Sequence, residues 1–159
     1  MAGIEGGCSC GATRYRLSAA PLFVHCCHCT WCQRETGSAF AVNVLIERSA
    51  IELVQGDLVR SELPTASGSG QSFLRCAACG TTLWTHYAGM KDVVAFLKGG
   101  TLDDPNVAPP DIHIFTSTKQ DWVTIDDGKP VMKNYYSRDA RWPQASIERL
   151  KAARAIAKA

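Results

Sequence analysis

Apolar and polar residues alternate in short runs along most of this chain, and the runs are rich in β-branched and aromatic types. Thr13 to Leu17, Ala39 to Ile46, Ile51 to Val54, Leu58 to Leu63, Ser72 to Arg75, Thr82 to Tyr87, Val93 to Leu97, Ile112 to Thr116 and Trp122 to Ile125 all read as strands. So many short strands predict a mainly β fold of antiparallel sheets. Turn chemistry separates them: Gly56-Asp57 predicts a tight hairpin turn, Ala66 to Gly70 a flexible Ser/Gly tip, and Asp126 to Pro130 a further turn. Gly99 to Pro110, with three prolines and two glycines, predicts a loop without regular structure. Helical periodicity shows at length only near the end. Ser146 to Ala159 is rich in Ala, Lys and Arg and places Ile147, Leu150, Ala153 and Ala157 on one stripe, with Trp142-Pro143 ahead of it. A helix packed on the sheet or on a second copy is expected there.

Length changes this picture little, because 159 residues is the usual size of one domain. The division expected within it is a β domain over 1–135 and a C-terminal extension with a helix over 136–159. A hydrophobic fraction of 46% and a charged fraction of 20% exclude disorder. The formal charge of +2, with Lys and Arg scattered, argues against a nucleic-acid partner. No apolar run approaches the ~18 residues needed to span a bilayer, and Met1 to Gly7 lacks the apolar stretch of a secretory signal. A cytoplasmic location without a membrane partner is the expectation.

Eight cysteines in a reducing compartment point to metal or redox chemistry rather than disulfides. All but Cys26 fall into short clusters: Cys8 and Cys10 before Gly11; Cys27, Cys29 and Cys32; and Cys76 and Cys79 before Gly80. Two sulfurs reach one zinc at about 2.3 Å only where the backbone between them turns tightly, and a following glycine can take the positive φ that such a turn needs. Two Zn²⁺ are therefore expected, and ionising seven thiols around them would take the formal charge from +2 to about −1. Two partitions are open. Cys8, Cys10, Cys76 and Cys79 can close a four-thiolate site, leaving Cys27, Cys29 and Cys32 around a second metal with one position free. Alternatively Cys29 and Cys32 join Cys76 and Cys79 in a ribbon, although their separation exceeds the ~15–20 residues of common ribbons and strands Cys8 and Cys10. The first is preferred.

The ordered set of C-x-C-G, then C-x-C-x-x-C followed by Arg34, Gly37 and Ser38 to Ala41, then F-x-x-C-x-x-C-G-T from Phe73 to Thr81 resembles the glutathione-dependent formaldehyde-activating enzymes and their centromere protein V relatives. Similarity runs from about Gly6 to Ile125 and takes in Val93 to Leu97, Ile112 to Phe115 and Trp122; Cys26 and the stretch from about Tyr135 onward lie outside it. The resemblance implies a β-tent fold, a structural zinc at Cys8, Cys10, Cys76 and Cys79, and a functional zinc at Cys27, Cys29 and Cys32. It also implies carbon-sulfur lyase activity on S-hydroxymethylglutathione.

Three thiolates leave a zinc with a net charge of about −1, which weakens its power to ionise water but suits one more thiolate. That favours thiol chemistry: a thiol such as glutathione brought to an aldehyde carbon, or the reverse cleavage. Arg34 is a candidate to meet a carboxylate of such a thiol. His28, between two candidate ligands, must point away from their metal or displace one of them; His25, His86 and His113 read as strand residues with satisfied rings; Cys26 reads as a buried thiol, with a redox switch as the alternative; and Trp31 walls the pocket or packs in the core. The competing classes are a non-catalytic zinc-stabilised binding module and a thiol redox or metal sensor. A homo-oligomer is compatible with either class or with the enzyme.

Overall fold

The computed structural model describes residues 3–65 and 68–158. Among these described residues ten strands form two sheets. The smaller is antiparallel, with β1 (Ile4–Gly7), β2 (Arg14–Leu17) and β5 (Ile51–Gln55) in the order β1-β2-β5. The larger has seven strands in the order β10-β3-β4-β9-β8-β7-β6. These are β3 (Phe23–Cys27), β4 (Ala41–Glu47), β6 (Leu58–Leu63), β7 (Gln71–Cys76), β8 (Thr82–Tyr87), β9 (Val94–Lys98) and β10 (Ile112–Ile114). The chain is mainly β, as the alternation predicts.

Alternate residues on the central strands enter two different cores, the period-2 consequence of a sheet buried on both faces. Val24, Val44, Ile46, Ala95 and Leu97 pack with Tyr15, Leu17 and Ile51 of the small sheet. Their neighbours Phe23, Cys27, Leu45 and Phe96 pack on the other face with Tyr136, Trp142, Ile147 and Leu150. The second core is closed by α2 (Gln144–Ile156), which starts straight after Pro143. Ile147 and Leu150 of the expected stripe are buried, Ala153 is half-buried and Ala157 is exposed. Arg149 fixes the helix by donating to both oxygens of Glu47, at 2.9 and 2.6 Å.

Four sequence expectations are corrected. The sheets are not wholly antiparallel, because β10 runs parallel to β3, pairing His113 with Cys26. Gly56-Asp57 turns the chain but makes no hairpin: β5 pairs with β2 and β6 with β7, so the turn passes from one sheet to the other. Gly56 is required there, with φ of +78° and space for a Cβ only 2.2 Å from the Ala12 carbonyl oxygen. Trp122 to Ile125 is not a strand; Lys119 Nζ donates to the Gln120 and Val123 carbonyls at 3.0 and 2.7 Å, taking acceptors that a sheet ladder would use. Gly99 to Pro110 is ordered by two 3₁₀ turns, Gly99–Thr101 and Pro105–Val107. Strands β1 and β3 and the short helix α1 (Thr30–Thr36) go beyond the sequence reading. Within the predicted 66–70 tip, residues 66 and 67 lie outside the described residues, as does residue 159 of the predicted helix.

Candidate metal centre and its cavity

The first two of four gathered cysteines follow β1, and the third ends β7, so their meeting point joins the small sheet to the far end of the large one. Both cysteine knuckles close in the same way. Gly11 N–H donates to the Cys8 carbonyl at 3.1 Å and Gly80 N–H to that of Cys76 at 2.9 Å, with φ of +77° and +74° at the two glycines. Beyond the glycine and its chain neighbours, no described atom lies within 4 Å of where a Cβ would stand at either position, so dihedral angle and not crowding selects the residue. Cys8 Sγ lies 3.5 Å from Cys10 Sγ, and Cys10 Sγ lies 3.9 Å from Cys76 Sγ. Four sulfurs about 2.3 Å from one tetrahedral metal stand roughly 3.8 Å apart, so Cys8, Cys10, Cys76 and Cys79 could hold a metal ion, and zinc suits the donor set. The Thr81 hydroxyl and N–H lower the Cys79 thiol to about 6. Burial raises Cys8, but the Thr13 N–H and the neighbouring thiols outweigh it and bring it to about 7.

Cys27, Cys29 and Cys32 form a separate group, so the structure does not bring Cys29 and Cys32 to Cys76 and Cys79. Cys27 is the last residue of β3, Cys29 caps α1, and Cys32 lies in its first turn. The cap explains the spacing. Cys29 Sγ accepts from Cys32 N–H at 3.3 Å, which folds the chain so that the first and last sulfurs of C-x-x-C face one point. Gly37, at φ of +64°, ends the helix. The His28 carbonyl is held by Gln33 Nε2 at 2.7 Å and Thr118 Oγ1 at 3.1 Å, which fixes the strand-to-helix corner. Hydrogen bonds shared among the three thiols lower the pKa of Cys29 and raise that of Cys27.

The trio faces a cavity of about 550 Å³. Its walls include Trp31, Tyr87, Met90, Phe96, Phe115 and Tyr135. Trp31 therefore lines the pocket, oriented by donation from Nε1 to Gln71 Oε1 at 2.8 Å. His25 is another wall residue; its Nε2 lies 2.5 Å from the Tyr136 hydroxyl, and burial pushes its pKa down to about 3, so it is neutral in ordinary buffers. Arg34 does not line this cavity. It borders an adjoining hollow with Gln33, Gly37, Gln120 and Trp122, and Thr30 lines both.

His28, between Cys27 and Cys29 in the chain, turns to the opposite face of the large sheet. There it meets Cys26 and His113 in a third donor group. His28 Nε2 stands 3.1 Å from His113 Nδ1 and 3.5 Å from Cys26 Sγ, and all three residues are buried. Asp127 Oδ2 lies 2.9 Å from His113 Nε2, which orients that ring with Nδ1 turned inward. Alternation along β3, carried one residue past its end, puts Cys26 and His28 on one face, but His113 arrives only through the parallel pairing with β10. All eight cysteines are free thiols.

Among the described residues no helix is long and apolar enough to cross a membrane. A Halomonas elongata protein named among the glutathione-dependent formaldehyde-activating enzymes is 26% identical over 129 residues, covering 77% of this chain and 81% of its own length. A solved Rhodobacter sphaeroides protein matches at a TM-score of 0.47 and 15% identity, covering 81% of this chain and 99% of that one. The family model described as glutathione-dependent formaldehyde-activating enzyme matches residues 3–118, a span that holds every residue of the three donor groups, and the chain belongs to that family.

Proposed function

We propose that the protein is a zinc-dependent carbon-sulfur lyase that cleaves thiol-aldehyde adducts such as S-hydroxymethylglutathione. The observation that carries this reading is a trio of cysteine sulfurs facing a small-molecule cavity, with no fourth protein ligand in the group among the described residues. A zinc ion bound there would supply a soft Lewis acid with room for one external sulfur. Cys27, Cys29 and Cys32 set its charge and hold it at the cavity wall. The hydrophobic walls limit water, so the thiolate released by cleavage is protected from competing reactions. In the reaction the carbon-sulfur bond breaks with its electron pair going to sulfur, the hydroxyl proton leaves to solvent, and the aldehyde carbonyl forms. A proton returns to the thiolate on release, and no oxidant is needed.

Arg34 receives a thiol-side carboxylate in this proposal, reached across Thr30. Cys8, Cys10, Cys76 and Cys79 hold a second, structural zinc that staples the two sheets into a β-tent. The setting is cytoplasmic, where thiol and aldehyde are small-molecule partners. Exchange of isotope-labelled formaldehyde with glutathione, followed by NMR with and without the protein, is the direct test. Faster exchange is expected, and exchange no faster than in buffer across several thiol and aldehyde pairs removes the lyase reading.

A further inference from the structure

We infer that the cavity before the cysteine trio seats an uncharged, apolar group of aromatic size on the aldehyde half of the adduct, and that an adduct carrying such a group is preferred over the formaldehyde adduct. This rests on the lyase reading and specifies its substrate. The cavity, about 550 Å³, is in the range of small-molecule sites. A hydroxymethyl group brings only one carbon and one oxygen, roughly twice the ~30 Å³ share of a water molecule, and would leave most of that space unfilled.

The walls decide what can fill it. None of the residues lining the cavity is Asp, Glu, Lys or Arg. Asn43, one of the few polar lining residues, already has its Oδ1 accepting from Lys98 Nζ at 3.3 Å. Glutathione carries two carboxylates and an ammonium, and burying such charges without partners costs far more than sulfur coordination near a wall can offset. The thiol half must therefore point out of the cavity, and the hollow beyond Thr30 offers it the exposed guanidinium of Arg34, which has no partner among the described residues. What remains inside is the group attached to the aldehyde carbon. Rings suit it: Tyr87 and Phe96 meet edge to face at 4.7 Å, and Phe115 and Tyr135 lie 6.0 Å apart, leaving aromatic faces and edges along the walls.

The test pairs binding with turnover on the zinc-loaded full chain. Calorimetric titration with two inert thioethers, S-benzylglutathione and S-methylglutathione, reads the cavity without chemistry. Burial of the phenyl ring should make the benzyl compound at least about tenfold tighter. Tyr135→Ala should shrink that preference several-fold. In parallel, NMR follows cleavage of the glutathione adducts of phenylacetaldehyde and of formaldehyde, with the first expected to be faster. Equal affinities for the two thioethers, or tighter binding of the methyl compound, overturn the inference; cleavage of the formaldehyde adduct would then leave the lyase reading standing. Tight binding of S-benzylglutathione with neither adduct cleaved sinks the lyase reading instead and upholds the ligand class of the cavity.

Discussion

Trp142 stacks on Phe23, with ring centroids 5.6 Å apart and planes inclined by 23°. One ring belongs to a central strand and the other to the segment after the family match ends at residue 118. The same Trp142 donates from Nε1 to the Tyr136 hydroxyl at 2.6 Å, and that hydroxyl meets His25 on the cavity wall. The C-terminal segment thus closes a core and also braces the site. Trp142→Ala should cost about 3–5 kcal/mol of stability, the usual result of emptying a buried aromatic position. Urea unfolding followed by circular dichroism measures it, and a loss under about 0.5 kcal/mol would mean that the tail is not part of this core.

The two cysteine groups should respond differently to loss of a ligand. Cys76→Ser removes a sulfur from the group that joins the sheets and should leave the chain unfolded or close to it, because such a metal carries much of the folding free energy of a small domain. Cys29→Ser removes a sulfur from the cavity wall and should leave a folded protein. Bound zinc per chain, measured by mass spectrometry of the metal, should be about two for the natural sequence and about one for Cys29→Ser. Zinc near zero with unfolding in Cys29→Ser would show that the trio also staples the fold.

The knuckles were legible because Cys-x-Cys-Gly and Cys-x-x-Cys-Gly carry their geometry locally: Gly11 and Gly80 take the positive φ that their position demands. Strand β3 was hidden for the opposite reason. Phe23, Val24, His25, Cys26 and Cys27 are all buried, so no apolar-polar alternation marks them, and imidazoles and thiols are weak strand signals. Helix α1 spans seven residues, too few for a periodic stripe, and rests on the cap that Cys29 makes. His113 reached Cys26 and His28 through a parallel pairing, which no neighbouring residue in the chain encodes. Arg34 was legible as a cation near the trio, but its exclusion from the cavity follows from where helix α1 points it.

Stability should fall as the solution is acidified from pH 7 towards pH 5, in part because of His86. Burial lowers its pKa, and it lies on β8 with Nδ1 2.8 Å from the Val94 carbonyl oxygen, away from both cysteine groups. Its unfolded pKa is about 6.5. Below that value the unfolded chain takes up a proton that the native state declines, so stability is lost as pH falls and the loss levels off at the lowered native pKa. The slope from one such histidine approaches about 1.4 kcal/mol per pH unit. His86→Gln keeps an N–H for Val94 but removes the titration, so its urea midpoints at pH 7, 6 and 5 should decline less steeply. Parallel curves for the two proteins would mean that His86 is protonated in the folded state.

Helix α1, which carries Cys32, is tied to the sheet by a pair that is nearly out of solvent. Lys98 Nζ at the end of β9 stands 3.1 Å from Glu35 Oε2, with the side chains 12% and 8% exposed. The Thr82 hydroxyl also donates to Glu35 Oε1, at 3.2 Å, whereas Arg75 is 3.9 Å away and only half-buried. Lys98→Met would leave the Glu35 carboxylate buried with little cationic support, and breaking a buried pair from one side costs about 3–5 kcal/mol. Neutralising both partners removes the stranded charge, so Glu35→Gln with Lys98→Met should regain most of that loss. Urea unfolding of the two single variants and the double variant forms a cycle that isolates the coupling. If the double variant is no more stable than Lys98→Met alone, Glu35 does not need its cation, and α1 is held against the sheet by the packing of Cys32 and its neighbours instead.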